Sequence, residues 1–178
     1  MADDRARWRK LAVSKALLAG LVFAAPASAE AAAGERILVF GFELVDTSGE
    51  EAGQDHGPRL RSASELLVSR MREAGLDVSG PLDPRPDGTF IRSCNGCEAA
   101  IASEAGADIA ATGTVRKVST LILSITIALR DAATGDAVSW TADIRGDNER
   151  SWLRGVDWLA DHRVLPHFAE AAGGDPGP

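Results

Sequence analysis

Beyond residue 29 the sequence contains a single lysine, Lys117. Setting aside the first 29 residues, which hold five basic and two acidic side chains, takes the formal charge from −7 to −10. An acidic, lysine-poor chain is a poor binder of DNA, RNA or anionic lipid, all of which call for a basic patch. The charge then serves solubility, and no nucleic acid partner is expected. The sequence also lacks a glycine-rich phosphate loop and a Gly-x-Ser-x-Gly elbow. Its three histidines, His56, His162 and His167, are scattered. No nucleophile stands out, so the expectation is a protein that is not an enzyme and uses no cofactor. Cysteines are limited to Cys94 and Cys97. With no second pair and no nearby histidine, they fall short of the four ligands zinc wants, and no metal site is expected.

The N-terminus differs from the rest. Arg5, Arg7, Arg9, Lys10 and Lys15 form a basic start, Ala16 to Ala25 is apolar, and Ala27-Ser28-Ala29 is a small-x-small site. Together they predict a secretory signal peptide over 1–29, cut before Glu30. The apolar run is shorter than the roughly 20 residues a spanning helix needs. There is no Arg-Arg pair for the twin-arginine route and no cysteine near the cut to carry a lipid. The expectation is a soluble periplasmic protein with no stable membrane insertion after cleavage. It would have one α/β domain over 30–172 and a frayed tail over 173–178.

Within the domain the clearest signal runs from Gly106 to Asn148. Leu121, Leu123, Ile125, Ile127 and Leu129 alternate with Ser124, Thr126 and Arg130, and Val138, Trp140, Ala142 and Ile144 alternate with Ser139, Thr141, Asp143 and Arg145. This is the period of a half-buried strand, and it predicts three consecutive antiparallel strands with a turn at Ala133-Thr134-Gly135-Asp136. Upstream, Arg36 to Glu43 is a short, almost unbroken apolar run, expected to be a strand covered on both faces. Leu44 to Gly57 is polar and glycine-bearing and is expected to be a mobile loop. Pro58 opens a helix with Leu60, Ala63, Leu67 and Met71 on one face and Gly75 at its end. A short strand at Leu76 to Ser79, a proline-rich loop from Gly80 to Gly88, and a second helix from Cys94 to Ala105 follow. Asp147 or Asn148 caps a last helix carrying Trp152, Val156 and Leu159, which ends at Pro166. The order β-α-β-α-β-β-β-α predicts an α/β (α+β) fold, with helices on a mixed sheet of about five strands.

The motifs Arg36-Ile-Leu-Val-Phe-Gly-Phe-Glu, Ala105-Gly-Ala-Asp-Ile, Gly113-Thr-Val-Arg-Lys-Val-Ser, Arg130-Asp-Ala-Ala-Thr-Gly and Asp143-Ile-Arg-Gly-Asp-Asn-Glu-Arg-Ser-Trp resemble a family of exported proteobacterial domains of unknown function. More distantly the pattern is similar to TolB N-terminal and CsgG-type domains. That resemblance implies an envelope accessory or adaptor module with a periplasmic or envelope protein as partner. The unknown-function family further implies a place beside a periplasmic quinoprotein alcohol oxidation system. CsgG and the penicillin-binding-protein activators are lipoproteins, and this chain departs from them in lacking the lipid-accepting cysteine.

Three local features carry candidate chemistry. Cys94-Asn95-Gly96-Cys97 enters an oxidising compartment and reads as a small structural disulfide. A thiol–disulfide exchange motif at a helix N-terminus is the alternative. Leu44 to Gly57 is an alternative small-ligand loop. Finally, Arg145, Asp147, Asn148 and Trp158 fall where the last strand hands over to the last helix. They are the candidate partner-binding residues, with a guanidinium for a carboxylate and an indole for apolar contact. The competing account of this stretch is a strand exit plus a helix cap.

Overall fold

A computed structural model describes residues 34–50, 55–82 and 90–171. The expected leader, the tail from 173, and parts of the two loops lie outside the described residues. Six strands form one sheet: β1 (Arg36–Phe40), β2 (Glu43–Asp46), β3 (Asp77–Leu82), β4 (Ile109–Lys117), β5 (Ile122–Asp131) and β6 (Ala137–Arg145). The order is β3-β1-β4-β5-β6, with β2 also paired to β4. The β1–β3, β1–β4 and β2–β4 pairs are parallel, and β4–β5 and β5–β6 are antiparallel, so the sheet is mixed as expected. Helices α1 (Gly57–Glu73), α2 (Cys97–Glu104), α3 (Glu149–Leu159) and α4 (Leu165–Ala171) cover it, and a π turn at Ala160–Val164 joins the last two.

Alternation along the strands sorts side chains to two faces. Ile37, Val39, Val115, Leu123, Ile125, Ile127 and Ile144 meet Leu67 and Met71 of α1 and Trp152, Val156 and Leu159 of α3 in the main core. On the other face Leu38, Phe40 and Ala110 meet Ile91 and Ala102 in a smaller core under α2. β1 is therefore covered on both faces, which is why its sequence is unbroken apolar. Trp152, Val156 and Leu159 are all fully buried, each worth roughly 1.5–3 kcal/mol in apolar transfer. Arg70 of α1 pairs with Asp157 and Asp161 beside this stripe.

The structure corrects three boundaries. Leu44–Asp46 is strand and not loop: with Glu43 it continues alongside β4, pairing Glu43 with Thr114 and Asp46 with Lys117. Between Val39, opposite Ala111, and Glu43, opposite Thr114, the β1–β2 side has one residue more than β4. The extra residue inverts the alternation, so Phe42 and Leu44 turn to the main core and Glu43 to the α2 face. Phe42 lies directly over Gly113, where an added Cβ would run into the ring. Gly80–Leu82 is likewise strand, because β3 is the sheet edge, where Pro81 leaves no ladder partner unmatched. The last helix does not stop at Pro166. The π turn takes up the interruption, and α4 carries Phe168 back to the core.

Candidate partner-binding site

The hairpin exit brings two of the four nominated residues together and sends two elsewhere. β6 ends at Arg145, and α3 starts four residues later. Asn148 is the N-cap: its Oδ1 accepts a hydrogen bond from the Ser151 N–H at 3.0 Å. Helix α3 then runs back across the sheet so closely that a Cβ on Gly155 would stand 2.8 Å from Ile144 and 2.9 Å from Ile125. This close approach makes a groove of about 280 Å³ between β6 and α3, lined by Asp143, Arg145, Arg154, Gly155 and Trp158 among others.

Trp158 keeps 43% of its surface exposed. Its ring is stacked on His162 at 4.9 Å, and the Arg163 guanidinium lies 5.6 Å from its centroid. These contacts hold the indole in place without covering it. Arg145 and Arg154 are exposed, and neither guanidinium has an ion pair or hydrogen bond among the described residues. Arg154 precedes Trp158 by four residues and so sits on the same helix face, a neighbour that sequence reasoning missed although the i,i+4 spacing was legible.

Asp147 is not on this surface. Its side chain is 4% exposed and lies in a buried ion cluster. Its carboxylate meets Arg59 Nη1 at 2.6 Å, His56 Nε2 at 3.0 Å and Lys117 Nζ at 3.4 Å. Lys117, 7% exposed, also meets Glu50 at 3.0 Å and Asp46 at 3.7 Å. Burial works against ionisation of Asp147, yet the His56 hydrogen bond and charge, with Lys117 and Arg59, hold its carboxyl below the usual aspartate range. The Glu50 hydrogen bond outweighs burial at Lys117, and with Asp147 and Asp46 it raises the ammonium above the usual lysine value. The His56 ring stacks on Trp152 at 5.7 Å, so the cluster roofs the main core. It fastens Asp46, Glu50 and His56 to Lys117 and Asp147 at the hairpin exit.

Cys94 and Cys97 are at disulfide distance, at the start of α2. With Glu98 they are the described residues whose ligand atoms cluster closely enough for a metal, but the two sulfurs are joined to each other. The closed loop is short, so its contribution should sit below the roughly 3 kcal/mol of a 15-residue loop. Replacing both cysteines with serine is expected to lower the melting temperature modestly. Insulin reduction by the wild type, lost in the double variant, would make the pair a thiol–disulfide exchange site instead.

Comparison with known proteins then places the chain. Residues 35–164 match the model of the family described as "Protein of unknown function (DUF2380)". The chain belongs to that family. No curated protein matches it in sequence. Among solved structures, the PelC dodecamer from Paraburkholderia phytofirmans is similar at 15% identity and a TM-score of 0.47, over 71% of this chain and 86% of that one. The LpoB C-terminal domain from Salmonella enterica is similar at 16% identity and a TM-score of 0.36, over 65% and 84%. The LpoB C-terminal domain from Escherichia coli is similar at 13% identity and 0.36, over 67% and 88%. Among the described residues of this DUF2380-family chain, no helix is long and apolar enough to cross a membrane.

Proposed function

We propose that this chain is a soluble periplasmic adaptor, not an enzyme, and that it holds a protein partner in the groove between β6 and α3. The observation that carries this reading is the exposed Trp158 standing beside Arg145 and Arg154, two guanidiniums with no acidic partner among the described residues. Trp and Arg are the residue types that dominate binding energy at protein interfaces. A planar guanidinium takes a carboxylate with two parallel hydrogen bonds. The partner's contact segment therefore carries an acidic group next to an apolar one. Export rests on the basic start, the apolar run and Ala27-Ser28-Ala29. The resemblance to the exported family of unknown function makes periplasmic quinoprotein alcohol oxidation systems the first place to seek the partner.

Capture from periplasm with the wild-type chain as bait tests this, with the bait itself expected to begin at or near Glu30. Arg145→Ala and Trp158→Ala are each expected to weaken capture tenfold or more, about 1.4 kcal/mol. Their melting temperatures should stay close to wild type, because both side chains lie at the surface. Variants that melt several degrees lower, while their folded fraction binds normally, would make these residues structural and remove the groove as a site.

A further inference from the structure

A second concavity, of about 320 Å³, lies on the other side of the molecule, where the α2 face of the sheet is open beyond the small core. Thr112 and Thr114 of β4 are its floor, and Glu43, Arg92, Glu98 and Arg130 are its walls. The two glutamates are buried and are held differently. Glu43 is fully occupied: one oxygen accepts the Ile91 N–H, and the other accepts the Arg92 N–H at 3.2 Å and Arg92 Nη1 at 3.0 Å. Glu98 is not. It is 9% exposed, and its Oε1 accepts Arg130 Nε at 2.6 Å. Among the described residues its Oε2 has only Cys94 Sγ, 3.7 Å away, and a disulfide sulfur has no proton to donate. A carboxylate oxygen on a largely buried side chain costs free energy when it has no donor, so a donor is called for at this point of the wall.

The guanidiniums offer the complement. Arg130 uses Nε for Glu98 and Nη1 for the Gly135 carbonyl, and Arg92 uses Nη1 for Glu43. Each guanidinium has five N–H donors, so both retain donors for an acceptor in the pocket. Two guanidiniums and two carboxylates leave the lining neutral, which favours neither a simple anion nor a simple cation. We propose that this pocket binds a zwitterion of amino-acid to dipeptide size, its ammonium on Glu98 Oε2 and its carboxylate on the free donors of Arg92 or Arg130. The Cys94–Cys97 link, with Asn95 and Gly96 on the rim, holds the wall that carries Arg92 and Glu98. The site is independent of the β6–α3 groove and of any partner bound there.

The test is a thermal-shift and NMR titration of the processed chain with the common amino acids and their glycyl dipeptides at up to 10 mM. Each compound is matched by its N-acetyl and its carboxamide form. At least one zwitterion should raise the melting temperature and move the amide signals of Gly96, Thr112 and Thr114. Acetylation and amidation should each weaken binding tenfold or more, and Glu98→Gln should reproduce the effect of acetylation. Thr114→Val, which leaves both ion pairs intact, should weaken binding severalfold if Glu98→Gln proves too unstable to read. No response from any zwitterion overturns the proposal. So does equal binding of the acetylated and free forms, which would show that Glu98 meets no ammonium.

Discussion

Replacing Asp147 with alanine is expected to remove about 3–5 kcal/mol of folding free energy, the cost of breaking a buried ion pair on one side only. The carboxylate is the common acceptor for Arg59, His56 and Lys117, and all three come from elements far away in sequence. Without it, the buried Lys117 ammonium keeps only Glu50 and Asp46, both of which are more open to water. Asp147→Asn retains an acceptor and should lose less. Urea unfolding at neutral pH reads the difference, and a loss below about 1 kcal/mol for the alanine variant would mean that water and the remaining acids compensate. The pH dependence has a defined sign. The folded-state value of Asp147 is lowered, so its contribution is present above the ordinary aspartate value of about 3.9 and is lost as pH falls through the folded one. Lys117 is raised, so its contribution is full below about 10.4 and is lost as pH rises through its folded value. The gap between wild type and Asp147→Ala should therefore be widest between those limits and close toward acid.

Gly113→Ala is the second large effect, expected at about 1–3 kcal/mol by overpacking. In the middle of a strand this substitution would ordinarily be favourable by roughly 0.5–1 kcal/mol, because glycine gives up more chain entropy on folding. Here the new methyl group meets the Phe42 ring. That ring is buried in the main core, and its residue's N–H donates to Ser64 Oγ at 2.9 Å, so it has little freedom to retreat. The cycle with Phe42→Ala separates the two contributions. In the Phe42→Ala background the Gly113→Ala penalty should vanish, giving a coupling of about 0.5–3 kcal/mol. A neutral Gly113→Ala in the wild-type background would show that the ring moves freely.

These two residues also mark where reading the sequence runs out. The alternation from Leu121 to Arg145 is visible because one face of β5 and β6 packs on helices while the other is polar, and the cap and core stripe of α3 are visible for the same local reason. The strand at Leu44–Asp46 is hidden because the extra residue before it inverts the alternation, and Asp46 looks like a loop residue until its partner Lys117 is in place. Arg145 and Trp158 were legible as neighbours across a strand–helix junction. The burial of Asp147 was not, since its partners His56, Arg59 and Lys117 sit 91, 88 and 30 residues away. A lone lysine in an otherwise lysine-free stretch was the available hint that Lys117 has a structural partner. Of the 320 Å³ pocket only the rim at Asn95 and Gly96 lay in a stretch the sequence singled out for chemistry, because the rest of its lining is gathered from separate stretches of chain.

The π turn at Ala160–Val164 bears on how the chain can change length. Such a turn holds one residue more than the α turn it replaces, so it is a one-residue insertion absorbed where it stands. Trp152, Val156 and Leu159 before it and Phe168 after it all stay on the core. A sibling sequence one residue shorter here can close the turn to regular α-helix and keep both halves of the stripe. It can do so only without a proline at the place of Pro166, whose ring would then meet the carbonyl four residues back. In an alignment of siblings, the gap and the loss of that proline should therefore appear together.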